Sequence, residues 1–443
     1  MIKKVLFLLF NMDEIPTYKE RPDLKDCEYV LGRFCEQMIR NSNIYFTREE
    51  FVSILKKYCD EKFIDLEIHV VFDVLFSNHI ITPRDQKYCF KCSFWIYYFA
   101  AHRMHQDPEF AKWVLSDLQY TSYPEIIEFY TGVDRSRTDA LKIMIGDISN
   151  VCETVDKKCG LPDGVNPFSL ARWSPTEEMV DKMQKEIGEF VANSKLPAVV
   201  KDQYADKYYD PTRPYNQSIQ NLFRDYSLII LMQAVRSGSR ALRNSDYVDP
   251  SVKKELLQVI MRGWEQMTKV FLVLTPILAS MGNADFSGVR FFLKGDFGDS
   301  FDLRFSNIFR HIPANVVNLF KNDLSSKKMG PLLFDYLNNE SNEIKKLVMI
   351  IHLISERPRN WRAAIEDYIT VISKGSIYLL CVYQYLRSEY QFSFANAKTL
   401  KDIEYLIKMC VAKHLGNKKP GKEAISKVSN DVLPERKSDL NDE

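Results

Sequence analysis

Ile80-Ile81-Thr82-Pro83-Arg84-Asp85-Gln86-Lys87-Tyr88-Cys89-Phe90-Lys91-Cys92 places two short β-branched and aromatic runs on either side of a Pro83–Gln86 turn, which predicts a β-hairpin. Three helical patterns lead into it. From Cys27, apolar residues recur at Val30, Leu31, Phe34, Cys35, Met38 and Ile39, the spacing of one buried helix face. Thr47-Arg48-Glu49-Glu50 is a capping box, in which the Thr47 hydroxyl and the Glu50 carboxylate satisfy free amides at a helix start. Phe51, Ile54, Leu55, Tyr58 and Cys59 continue that helix, and a third carries Leu66, Val70, Val74 and Leu75. Three helices followed by a hairpin is the order of a winged helix. The predicted fold class is therefore mainly α: a winged-helix module with a small β-hairpin, then helical bundle or helical-hairpin domains.

Downstream of the hairpin, Ser93 is placed to cap a helix, Phe94-Trp95-Ile96-Tyr97-Tyr98-Phe99-Ala100-Ala101, that is apolar on every side and so predicted to be buried on most faces. Asp107-Pro108 opens another helix, with proline at the first turn where its missing N–H costs nothing. Two short helices are expected around Ile126 and Leu141, and a helix near Glu177–Asn193 within a segment richer in Pro and Gly. Helical stripes resume at Ile219, Leu222, Phe223, Tyr226 and Ile230, and at Leu256, Leu257, Ile260, Trp264, Met267 and Phe271. Val289–Leu293 and Phe301–Phe305 alternate around Gly295–Asp299, which predicts an isolated second hairpin. The expected division is a winged-helix-like domain (1–105), a short helical bundle (106–160), a connector (161–214), a helical sensor-like domain with a small hairpin (215–415) and a disordered tail (416–443).

The composition narrows the class. Of 443 residues, 46% are hydrophobic and 27% charged, which excludes a disordered or collagen-like chain. Lys and Arg (60) nearly balance Asp and Glu (59), so no global field draws the chain to nucleic acid or membrane. Nine cysteines, odd in number and widely spaced, suit a reducing cytoplasm and buried thiols. Val5–Phe10 is too short for a signal peptide and reads as a short buried element. No segment reaches the ~20 apolar residues of a membrane span.

Motifs that would carry chemistry fail on their context. Cys89 and Cys92, with His102 and His105 beyond, have a spacing that suits no common zinc finger. Gly416–Glu423 nearly spells a phosphate-binding loop, but Pro420 removes an amide and Glu423 stands where a hydroxyl is needed. Asp296-Phe297-Gly298 has no kinase catalytic loop to accompany it. The sequence thus predicts no catalytic residue, no cofactor and no metal ligand. Arg236, Arg240 and Arg243 would share one helix face, with Lys345, Lys346, Arg357, Arg359 and Arg362 as a second basic area, both read as solvated surface. The third helix, Asp65–Asp73, holds no Lys or Arg, which argues against groove reading of DNA.

The segment Phe90-Lys91-Cys92-Ser93-Phe94-Trp95-Ile96-Tyr97-Tyr98-Phe99-Ala100-Ala101 resembles part of the STAND-type NTPases, the signal-transduction ATPases that include NACHT and related bacterial defence proteins. In that family a winged-helix strand ends in an aromatic-x-His pattern and leads into a helix reading like F-x-E-Y-F-A-A. The helix from Phe110 to Leu118 and Ile126–Gly132 resemble the family's next two segments, and 215–390 is faintly similar to its helical sensor arm. The resemblance implies a C-terminal half of such a protein, whose P-loop ATPase domain should precede the winged helix. Cys92 occupies the position of a histidine that contacts nucleotide in many members. The expected function is a non-enzymatic regulatory and sensor part. It would dock to an ATPase domain or NTPase subunit encoded separately and answer an unknown protein or ligand trigger. Trp95, Tyr97, Tyr98 and Phe99 are the expected docking pivot. The alternatives are a winged-helix nucleic-acid-binding regulator and a helical protein-interaction scaffold.

Overall fold

The computed structural model describes residues 22–160, 166–169, 171–193, 198, 201, 224, 227–281, 285–286, 289–290, 300–416 and 420–437. The Val5–Phe10 run, the Gly295–Asp299 turn with Asp296–Gly298, and positions 219, 222, 223 and 226 lie outside these residues. The chain is mainly helical, with two small antiparallel strand pairs among the described residues, and divides into two compact units: Met1–Met144 with Arg240–Val252, and Ile145–Ser239 with Lys253–Glu443. This division differs from the expected boundaries near 105 and 160.

In the first unit, α1 (Leu24–Arg40) begins at a capping box that sequence periodicity did not reveal, Asp23 with Asp26. Its predicted stripe is buried from Cys27 through Ile39. The expected box starts α2 (Arg48–Lys62): Thr47 Oγ1 accepts from Glu50 N at 3.1 Å, and Thr47 N donates to the Glu50 carboxylate at 2.7 Å. After α3 (Ile68–Ser77) come β1 (Ile81–Arg84) and β2 (Lys87–Phe90), in register Ile81 to Phe90 and Arg84 to Lys87. The turn is tighter than expected, because Pro83 belongs to β1 and only Asp85-Gln86 connect the strands, Asp85 at φ 56°. Phe46 bridges to Tyr88 from the other side, exchanging backbone hydrogen bonds of 2.7 and 3.0 Å. Pro83, which has no N–H to donate, thus sits on the outer strand. Rings of Phe34, Phe46, Phe51 and Phe72 meet at 4.8–5.4 Å centroid spacing, a core that ties α1, α2 and α3 together.

Helix α4 (Phe94–Gln106) packs on α1 and on α6 (Pro124–Val133). Between them α5 (Pro108–Leu115) starts as expected, Asp107 accepting from the amides of Glu109 and Phe110. Ser93 makes no capping hydrogen bond to α4. The helix expected as short around Leu141 is α7 (Asp139–Cys159).

In the second unit, α8 (Glu177–Asn193) occupies its expected span. Helices α9 (Leu228–Asn244) and α10 (Pro250–Met281) approach closely at two glycines. A Cβ on Gly263 would lie 2.4 Å from Val235 Cγ2, and one on Gly238 2.8 Å from Ile148 Cδ1 of α7. The alternation at Phe301–Phe305 is not a strand. Ser300 caps α11 (Phe301–Leu324), in which Phe305, Ile308, Phe309 and Ile312 are buried at helical spacing. Among the described residues the nearby strand pair is Asp285–Phe286 with Val289–Arg290. Then come α12 (Gly330–Asn339), α13 (Glu343–Glu356), α14 (Trp361–Val371), α15 (Ile377–Phe392) and α16 (Ala397–His414). Helix α13 is buried continuously from Leu347 to Ile354 and touches α11, α12, α14 and α15, the mark of a central helix. The expected disordered tail is corrected for 420–437: α17 (Lys422–Ser426) packs on α16, Lys408 Nζ reaches Asn430 at 2.6 Å, and Arg436 donates to Tyr390 O at 2.7 Å. Among the described residues no helix is long and apolar enough to cross a membrane.

Candidate interaction surface

Gly32 lets α4 come close to α1: a Cβ there would lie 3.2 Å from Arg103 Cβ and 3.3 Å from Phe99 O. That contact brings together a buried ionic cluster. Glu36 accepts from Arg103 at 2.9 Å, Arg33 at 3.0 Å and Arg40 at 2.9 Å, and Arg103 also pairs with Asp107. Burial pushes the Glu36 carboxyl up, but hydrogen bonds from Arg103, Arg33 and Arg40 outweigh it and hold it below the usual carboxylate range. Two turns earlier on α1, Glu28 accepts from Tyr98 Oη at 3.1 Å, and His102 Nδ1 lies 3.8 Å from the same carboxylate.

This architecture decides what the four aromatic residues can do. Trp95, Tyr98 and Phe99 are 8%, 6% and 0% exposed, and their rings contact neighbours of the same unit: Phe99 meets Phe90 and Trp95, and Tyr98 meets Phe129 and His102. As a docking pivot these three are corrected to core positions: all are buried in the unit, and Tyr98 reaches α1 through Glu28 and α6 through Phe129. Tyr97 alone stays half-exposed, 6.4 Å from the Tyr123 ring. The apolar surface lies elsewhere. Phe63 is 98% exposed, Ile64 46% and Phe76 41%. Phe63 also closes α2 in the left-handed conformation (φ 58°), where glycine is the usual residue. In the same unit an open groove of about 630 Å³ is lined by Arg48, Glu49, Lys56, Lys57, Asp60 and His69.

The residues weighed as metal ligands are not brought together. Cys92 is exposed, Cys89 half-buried beside Thr82, His102 faces Glu28, and His105 Nε2 donates to Tyr130 O at 2.9 Å. Among the described residues no three His, Cys, Asp or Glu side chains converge to hold a metal. The other seven cysteines are buried, and desolvation pushes Cys152, Cys159 and Cys381 up to about 12. The basic stripe is corrected too: Arg236 pairs with Asp323, Arg240 with Glu125 and Glu128, and Arg243 with Glu128. The second basic area is likewise spent, Lys345 on Glu265, Arg357 on Glu389, and Arg362 on Glu366 and Asp402. Residues 417–419 of the near P-loop lie outside the described set, and Lys422 opens α17.

The second unit holds a cleft of about 790 Å³ between α10 and α12, lined by charges from distant parts of the chain. These are matched in pairs: Lys254 with Asp335 at 2.9 Å, Lys269 with Asp156 at 3.0 Å and Lys345 with Glu265 at 3.1 Å. Tyr336 donates to Glu340 at 2.7 Å.

Residues 44–100 match the family model described as Novel STAND NTPase 4, a span that takes in α2, α3, the hairpin and the first half of α4. Neither the comparison with curated proteins nor that with solved structures returned a match.

Proposed function

We propose that the chain is a non-catalytic regulatory and sensor part of a STAND-type NTPase. The observation that carries this reading is the family match over 44–100, a continuous stretch that takes in α2, α3, the hairpin and the start of α4. The three helices, the hairpin and the Phe46 bridge have the element order of a winged helix, and that module docks to an ATPase domain on the same polypeptide or a separate one. Phe63, Ile64 and Phe76 supply its exposed apolar contacts, and the Lys56–Lys57 groove its charge. Trp95, Tyr98 and Phe99 hold the platform rigid from within. The helical unit receives the trigger, in a signalling role such as bacterial defence. A trigger shifts the docked and released states only by its differential affinity for them, and tenfold in that ratio is about 1.4 kcal/mol.

Size-exclusion chromatography of the purified chain with the P-loop domain encoded alongside it tests the reading. A complex is expected with the ADP-loaded domain and a weaker one with a non-hydrolysable ATP analogue, while the chain alone releases no phosphate from ATP. Nucleotide-independent mixing without a complex, or ATP turnover by the chain alone, would sink it.

A further inference from the structure

We infer that the segment joining α6 to α7 is held by a proton-operated clasp, in which neutral His105 accepts a hydrogen bond from Arg137 and gives it up on taking a proton. Every residue of the clasp belongs to the first unit. The inference stands apart from the STAND reading and needs no partner.

Residues 134–138 lie between α6 and α7 in neither helix nor strand, and Asp134, Arg135 and Ser136 are exposed. Side chains hold them instead. His105 of α4 is half-buried, and its ring stacks on Tyr130 of α6 at 4.4 Å. Its Nε2 lies 2.9 Å from Tyr130 O, and because a carbonyl only accepts, the hydrogen sits on Nε2. That leaves a lone pair on Nδ1, to which Arg137 Nη1 donates at 3.4 Å. Arg137 in turn grips Asp139 through Nη2 at 2.6 Å and Nε at 3.2 Å, and Tyr130 Oη donates to the same carboxylate at 2.7 Å. Arg135 carries the hold further: its guanidinium pairs with Asp246 at 2.7 Å, and its carbonyl accepts from Tyr247 N at 3.1 Å.

A proton on Nδ1 removes that acceptor and sets N–H against N–H and charge against charge. The carboxylates facing the ring are already engaged. Asp139 receives Arg137 and Tyr130, and Asp134 accepts from the amide and hydroxyl of Ser136. On α4 itself, Arg103 is turned to Glu36 and Asp107. Burial lowers the His105 pKa and the Arg137 charge adds to this, against the Tyr130 carbonyl and the Asp134 and Asp139 charges, which favour the proton. The open segment therefore binds the proton more tightly than the clasped one, and acid favours opening. Between the two midpoints the open population rises by up to about tenfold per pH unit.

Hydrogen exchange of the full chain, read by mass spectrometry from about pH 7 to about pH 5 and corrected for the intrinsic rate, tests the clasp. That range stops above the pKa of about 4 at which His352 takes its proton. Amides of 134–142 and 246–248 should lose about tenfold in protection at the acid end, while α1 and α2 keep theirs. His105→Gln offers Tyr130 O a donor and Arg137 an acceptor but takes no proton, so the same amides should stay protected throughout. Should that variant misfold, as its thermal midpoint at neutral pH would report, Arg137→Gln decides. Without the guanidinium, the His105 ring resonances should titrate at higher pH by NMR. A segment that stays protected down to about pH 5, a loss shared by the whole unit, or a loss that His105→Gln retains overturns the clasp. So does a His105 midpoint that Arg137→Gln leaves unmoved.

Discussion

His352 is fully buried on α13, its Nδ1 donating to Val348 O at 2.7 Å, its Nε2 without a partner among the described residues, and the Trp264 ring edge-on at 6.1 Å. Burial lowers its pKa to about 4, so the unfolded chain takes up a proton before the folded one does. Stability from this group is therefore complete above about pH 6.5 and falls by about 3 kcal/mol as pH drops to about 4. Burial also lowers His105, which adds to the loss in the same direction. Urea titrations at pH 7 and 4.5 check this, and His352→Leu should flatten the difference between them. Phe63 predicts the opposite kind of effect. It gains nothing from packing at 98% exposure and sits at φ 58°, so Phe63→Gly should stabilise by about 1 kcal/mol in denaturant unfolding. The same change should weaken the nucleotide-dependent complex. A stable variant that docks as before would remove Phe63 from the docking surface. Neither residue was legible in the sequence, because a lone histidine in an apolar run and a phenylalanine after a helix look ordinary until burial and φ are known.

At the scale of elements, amphipathic helices with a single apolar stripe were legible. Each stripe position of α1 from Cys27 to Ile39 is buried, and the Thr47–Glu50 box starts α2 at the residue it marked. Phe301–Phe305 was misread because five residues satisfy both a period of 2 and the i, i+4 pair Phe301/Phe305. Ser300 and the continuation through Ile308 and Ile312 decide for the helix. The α1–α4 contact was invisible, since Glu36 and Arg103 are 67 positions apart. It carries the clearest mutational prediction. Glu36→Ala leaves Arg103 buried with only Asp107 beside it and should cost about 3–5 kcal/mol in urea unfolding. Arg33, more exposed and on the rim of the same cluster, should cost under about 1 kcal/mol as Arg33→Ala. Equal losses from the two would mean that the cluster is not organised around Glu36.

For the molecule as a whole, the near-zero net charge was readable from composition, but its distribution was not. Arg236, Arg240 and Arg243 do share a helix, yet each meets a carboxylate far away in sequence. With those cations committed, the chain should show no duplex DNA binding whose affinity drops steeply between 50 and 200 mM salt, as fluorescence anisotropy would register. Tight, salt-steep binding would favour the nucleic-acid regulator instead. The cleft between α10 and α12 was equally hidden, because its walls join helices that sequence order keeps apart. The thiols are covered very unevenly. With seven cysteines shut inside and Cys89 half-covered, Cys92 at the end of the hairpin is the one exposed thiol among the described residues. A maleimide dye would settle there on the native chain without engineering, giving a fluorescent reporter at the edge of the matched module that brightens or dims as a partner arrives.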